Sequence, residues 1–121
     1  MNAANPAKLA ERYIAAWNEP DAASRRALIA QTFTADARYV DPLMEGSGHD
    51  GLAAMIGAAQ SQFPGLRFVL SGNVDAHHDR LRFSWDLGPA GGAAIAKGTD
   101  FAVLADGKIH SVTGFIDMMP G

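Results

Sequence analysis

The hydrophobic period changes once in this chain, at Leu66. Ahead of that point apolar side chains recur at helical spacing; beyond it they recur at every second position. LRFVLSGNVDAHH, RLRFSWDL, AAIAKGTDFAVLA and KIHSVTGFIDM read as consecutive strands. Their joints, HHD, GPAGG and ADG, have the composition of turns. In RLRFSWDL, Leu81, Phe83, Trp85 and Leu87 alternate with Arg80, Arg82, Ser84 and Asp86. That pattern gives one buried face and one polar face, as in an antiparallel sheet.

The first half supplies what covers the buried face. PAKLAERYIAAWN predicts a helix with Pro6 in its first turn. Leu9, Tyr13 and Trp17 fall on one side of it, and Lys8, Glu11 and Arg12 on the wetter side. A second helix is expected to start from Asp21 as N-cap and run through ASRRALIAQTF, with Leu28, Ile29 and Phe33 as its apolar stripe. ARYVD alternates as a short strand, placing Tyr39 and Asp41 on one face and Arg38 and Val40 on the other. GLAAMIGAAQSQF predicts a third helix, with Asp50 as its N-cap and Pro64-Gly65 as its stop. No repeat or linker divides the sequence, so residues 1–121 are expected to form a single α+β domain: three helices packed on a curved antiparallel sheet. A curved sheet closed by helices leaves a cone, and its mouth or interior is a natural small-molecule site. Trp17, Tyr39, Phe83, Trp85 and Phe115 are the expected apolar lining.

Composition narrows the function classes. There is no cysteine, which excludes disulfides, zinc–thiolate centres and thiol nucleophiles. The net charge is −3 with no basic stripe, which argues against nucleic acid and against a polybasic membrane anchor. MNAANPAKLAERY lacks the charged and apolar runs of a leader, and no segment is long and apolar enough to span a membrane. A cytoplasmic protein is therefore expected. The histidines carry no H-E-x-x-H spacing, and neighbours His77 and His78 would point to opposite faces of a strand, so no metal is expected. No G-x-S-x-G elbow is present.

Three side chains stand out. Asp41 precedes Pro42, so it can be a turn aspartate held by local hydrogen bonds; among aromatic neighbours it can equally be a desolvated general base. Asp100 sits mid-strand on the face of Ala102 and Leu104, where a carboxyl must find a partner or stay protonated. Tyr13 lies on the apolar side of the first helix, either as a core tyrosine or as a phenol aimed at a developing oxyanion. Asp86 is expected to be solvated or paired with an arginine.

The order of RYIAAWN, ADARYVDP, the helix ending in FPG, GTD and DGKI resembles the NTF2-like superfamily over nearly the whole chain, and within it the SnoaL-like proteins. The resemblance implies a cone-shaped α+β barrel and a homodimer. Ketosteroid isomerase, in the same superfamily, implies roles: Asp41 as base, Tyr13 as oxyanion donor and Asp100 as a protonated donor, without cofactor or metal. In that family an apolar site keeps the aspartic acid protonated so that it can donate a hydrogen bond. SnoaL-type cyclases imply an aspartate acid/base in closing a polyketide ring. Limonene epoxide hydrolase is a poorer match, because its last-strand aspartate would fall near Gly114. The function expected is proton transfer next to a carbonyl of a small hydrophobic substrate. The alternative is a non-catalytic ligand-binding or dimerisation module.

Overall fold

The computed structural model describes residues 5–119. The first residues searched for a leader and the last two of the tail FIDMMPG lie outside them. The order is α1 (Pro6–Asn18), α2 (Ala22–Thr32), β1 (Phe33–Val40), β2 (Glu45–Ser47), α3 (Gly48–Gln62), β3 (Leu66–His77), β4 (Arg80–Pro89), β5 (Ala96–Ala105) and β6 (Lys108–Met118). Among the described residues no helix is long and apolar enough to cross a membrane.

The helices start where local chemistry directs. The Asn5 side chain accepts from Lys8 N–H at 3.2 Å, with Pro6 following, and the Asp21 carboxylate accepts from Ser24 N–H at 2.9 Å. Helix α3 differs from expectation. It begins at Gly48 with Ser47 as N-cap, and Asp50 lies inside the first turn, where it pairs with Arg26 at 2.7 Å. Gly48, at φ +71°, lets the chain turn directly out of β2, so the helix needs no cap two residues later.

The strands form one six-stranded sheet in the order β2-β1-β6-β5-β4-β3. The α+β class is as expected, but the sheet is mixed: β1 runs parallel to β6, and the other pairs are antiparallel. The long excursion through α3 and the meander provides the crossover that a parallel pair requires. One boundary also moves. Phe33 opens β1 rather than closing α2, because FTADARYV buries Phe33, Ala37 and Tyr39 on its inner face. The short strand β2 was invisible to periodicity because EGS carries no apolar alternation.

Interruptions of register bend the sheet. They fall between Ser71 and Asp75 on β3, at Lys97/Gly98 and Val103/Leu104 on β5, and between Phe33 and Arg38 on β1. Gly72, at φ +74°, sits inside the first of these. The concave face carries the core. Tyr13 from α1 packs edge-on to Phe83 (ring centroids 5.0 Å apart) and against Phe33 (5.8 Å), and Trp17 lies 5.4 Å from both Tyr39 and Phe68. Helix α1 is tied to the sheet edge by Asn18. Its amide donates to Phe68 C=O and accepts from Phe68 N–H, both at 2.8 Å, so one side chain takes the place of a neighbouring strand on β3.

Candidate functional site

The middle of α1, the end of β1 and the middles of β5 and β6 meet at one polar spot in an otherwise apolar wall. Tyr13 reaches it from α1, the side of that helix turned to the sheet, and its hydroxyl donates to Asp100 Oδ2 at 2.7 Å. Both residues are buried, at 1% and 2% exposure. Asp100 is inward because β5 alternates, burying Ala96, Gly98, Asp100 and Ala102. A second pair stands beside the first. Tyr39 on β1 donates its hydroxyl to Asp41 Oδ2 at 2.5 Å.

Asp41 does two things at once. Its Oδ1 accepts from Leu43 N–H at 2.7 Å and from Met44 N–H at 2.9 Å, which is the local turn bonding of an aspartate before proline. Its Oδ2 faces inward to Tyr39, and the residue lines the cavity together with Asp100 and Tyr13.

Gly114 makes the convergence possible. It stands opposite Asp100 in the β5–β6 register. A side chain there would lie 2.8 Å from Asp100 Oδ1, 3.1 Å from Asp41 Cβ and 3.4 Å from the Tyr39 hydroxyl. Gly98 serves Trp85 in the same way across the β4–β5 register: a Cβ at Gly98 would fall 2.2 Å from the indole ring.

Burial dominates the electrostatics. Desolvation pushes the Asp100 carboxyl up to about 6; the hydrogen bond from Tyr13 and the nearby Trp85 indole pull it down, and the Asp41 charge pushes it further up. Tyr13 is held well above the usual phenol range by burial first and then by the Asp100 charge. Tyr39 is raised by burial and by both carboxylates. The two tyrosines are therefore neutral donors throughout the working range, and Asp100 is the group that titrates near neutrality.

The cavity is lined by Tyr13, Trp17, Tyr39, Phe68, Trp85 and both acids, with Leu43, Met44, Ile95 and Met119 among its other walls. It is narrow, with a volume of ≈ 60 Å³. No Lys, Arg or His is among the lining residues.

Of the lining expected from sequence, Trp17, Tyr39 and Trp85 face the cavity. Phe83 does not; it is buried beneath Tyr13 and supports that ring edge-on. Phe115 does not either. It follows inward-facing Gly114 on β6, so alternation sends it to the outer face, where it is 58% exposed. Phe68 was missed, although its place two residues before Leu70 in an alternating strand carried the signal. Leu43 and Met44 were missed because loops have no period to read; Ile95, expected within the strand, lies in the bend just before β5, which starts at Ala96. His77 and His78 also differ from expectation: His78 has φ +52° in the turn, which brings the rings to 5.2 Å. Asp86 pairs with Lys97, its cross-strand neighbour, at 3.6 Å rather than with an arginine. Among the described residues no group of three His, Asp or Glu side chains gathers as a metal site would require.

A bent sheet wrapped by three helices around a cavity of aromatic rings and paired carboxyls defines the class, a small conical α+β pocket protein. Comparison with known families makes this specific. The SnoaL-like domain pattern matches residues 10–112, and the chain belongs to that family. A SnoaL-like family protein from Agrobacterium tumefaciens, provisionally called an isomerase, is 49% identical, with a TM-score of 0.89 over 93% of this chain and 97% of that one. A protein from a Jannaschia species, provisionally called a SnoaL-like polyketide cyclase, is 20% identical, with a TM-score of 0.70 over 97% and 92%. One from Kribbella flavida, provisionally called a ketosteroid isomerase, is 20% identical, with a TM-score of 0.70 over 94% and 78%. The last two share the fold. Curated proteins give no match.

Proposed function

We propose that the protein moves a proton next to a carbonyl group of a compact, neutral, hydrophobic substrate. The observation that carries this reading is the buried Tyr13–Asp100 hydrogen bond at the end of an apolar cavity that Asp41 also lines. A carbonyl oxygen that displaces the Tyr13–Asp100 hydrogen bond accepts from two O–H groups when Asp100 is protonated. Asp41 takes the proton from the adjacent carbon; the electron pair of that C–H bond forms the carbon–carbon double bond, and the carbonyl π pair moves to the oxygen as an enolate. The donors stabilise that charge more than they stabilise the ground-state carbonyl, which is how such a site accelerates the step. Asp41 then returns its proton to a different carbon for an isomerisation. Delivery of the enolate carbon to a second carbonyl would instead close a ring.

The lining supports a neutral substrate. A carboxylate or phosphate would leave water with no cation to receive it, and would stand against Asp41. A homodimer belongs to the same proposal. Phe101 and Phe115, exposed on the outer face of the sheet, are the side chains that would be covered.

The test is a titration with 2-naphthol, a fluorescent planar phenol that mimics an enolate. Binding that weakens roughly 10-fold or more in Tyr13→Phe supports convergent donors. Binding indifferent to Tyr13 would remove the assignment. Enolisable ketones are then screened in deuterated water for protein-dependent exchange at the α carbon.

One observation favours a second reading, a ligand-binding module without catalysis. Both oxygens of Asp41 are already engaged, one by two backbone N–H groups and the other by Tyr39. On that reading ligand affinity depends on Trp17 and Phe68 and is indifferent to Asp41→Asn.

A further inference from the structure

Trp17 holds a buried donor with nothing to donate to. Its indole Nε1 is shielded from solvent and has no hydrogen-bond partner, while the residue itself is 5% exposed and forms part of the cavity wall. Such a group costs stability unless something accepts from it, so a native structure that retains one has a use for it or loses by it. Among the described residues three other buried polar atoms share this condition: Arg25 Nε, Thr32 Oγ1 and Asp100 Oδ1. The first two are outside the cavity wall, and Asp100 Oδ1 is turned to Gly114. Among the described residues, Trp17 Nε1–H is thus the buried donor of the cavity wall that has no partner.

Its neighbours are the residues of the polar spot. The indole lies close enough to the Tyr13 hydroxyl to favour that group's ionised form, yet makes no hydrogen bond of normal geometry with it. The ring stands 6.3 Å from Tyr13 and 5.4 Å from Tyr39, the two residues whose hydroxyls mark the polar spot. A donor near the Tyr13 oxygen but not bonded to it is placed to share an acceptor with Tyr13. Helix geometry explains the pairing. Residues at i and i+4 overlie one another on one face, and 13 and 17 have that spacing.

We infer that Trp17 Nε1–H is a third donor to the ligand oxygen, beside the Tyr13 and Asp100 hydroxyls. This rests on the proton-transfer reading, in which an oxygen enters at Tyr13 and Asp100, and adds to it a residue that touches the substrate. The ligand chemistry it selects is an oxygen able to accept several hydrogen bonds at once, an enolate or phenolate rather than an ether or a hydrocarbon. Fixed N–H dipoles of this kind need no reorganisation when charge develops on that oxygen. Because an indole N–H does not titrate in the working range, its contribution persists when Asp100 has lost its proton.

The experiment uses the whole chain labelled with ¹⁵N. Two indole N–H resonances are expected, one from each tryptophan, and the spectrum of Trp17→Phe identifies that of Trp17. On titration with 2-naphthol the Trp17 resonance should move downfield, whereas naphthalene, which has the ring but no oxygen, should not move it that way. Affinity for 2-naphthol should fall roughly 10-fold in Trp17→Phe, the loss of about one hydrogen bond. If 2-naphthol binds in a Tyr13-dependent way but the Trp17 resonance responds as it does to naphthalene, the inference is overturned and the proton-transfer reading stands. An affinity within 2-fold of wild type in a folded Trp17→Phe has the same consequence. Absence of any Tyr13-dependent binding overturns both. Should Trp17→Phe fail to fold, the wild-type resonance, assigned through Trp85→Phe, decides alone.

Discussion

Gly114 stands directly across the β5–β6 register from Asp100, and the space its missing side chain leaves is the space that Asp100 Oδ1 fills. The polar spot therefore depends on a residue with no chemistry of its own. In Gly114→Ala the new methyl would sit 2.8 Å from that oxygen and 3.1 Å from Asp41 Cβ, with the short, buried side chain of Asp100 unable to swing clear. Overpacking of this kind costs about 1–3 kcal/mol. We expect urea unfolding to show a loss in that range and 2-naphthol binding to fall with it. Wild-type stability and affinity together would show that Asp100 has another place to go.

The raised pKa of Asp100 makes a prediction about stability. Its folded value, about 6, lies above the unfolded value, so folding favours the protonated form. The resulting contribution is fully present below about 4 and is lost as pH rises through about 6. Over that window it amounts to roughly 3 kcal/mol at most. Relative to Asp100→Asn, which cannot titrate, wild type should gain stability as pH falls from about 7 to about 4. Parallel Tm profiles for the two proteins across that range would contradict it. Binding of 2-naphthol should weaken in the same direction, as pH rises through about 6, because one donor is lost.

Asn18 makes a separate prediction, away from the chemistry. Its amide satisfies both backbone groups of Phe68, a wall residue on the edge strand β3. In Asn18→Ala those groups lose their partner, at a cost of about 1–3 kcal/mol. Phe68 should also lose its fixed position against Trp17 and Trp85, so ligand affinity falls while the Tyr13–Asp100 pair remains. Denaturant unfolding and the 2-naphthol titration on the same variant check both halves.

Some of this was legible in the sequence, for identifiable reasons. Leu81, Phe83, Trp85 and Leu87 form a two-residue period long enough to have one explanation, so β4 and its buried face could be placed. Asp100 was conspicuous because a carboxyl mid-strand among apolar residues has to be accounted for. Its contact with Tyr13, 87 positions away in sequence, depends on the bend of the sheet and has no local signature. Phe115 shows the limit of composition. An aromatic residue in the right strand reads as lining, but one step of alternation decides which face it takes, and Gly114 takes the inner one. The parallel β1–β6 pair was hidden because pairing partners of distant strands leave no mark on either.

Asp41 offers the sharpest separation of roles, because Asn and Ala divide what it does. Asp41→Asn keeps an oxygen to accept from Leu43 and Met44 N–H, and so keeps the turn, while removing the carboxylate that would take a proton. Asp41→Ala removes both. The turn bonds predict that Asn folds with near wild-type stability and that Ala loses about 1–3 kcal/mol, two backbone donors being left without their acceptor. The proton-transfer reading adds that Asn, although folded, loses at least about 100-fold in α-carbon exchange on any ketone the protein turns over, the lower range for general base catalysis. Its affinity for 2-naphthol should change much less, since the oxygen donors are untouched. An Asn variant that exchanges at the wild-type rate would leave Asp41 as a turn residue only, and the catalytic base would have to be sought elsewhere.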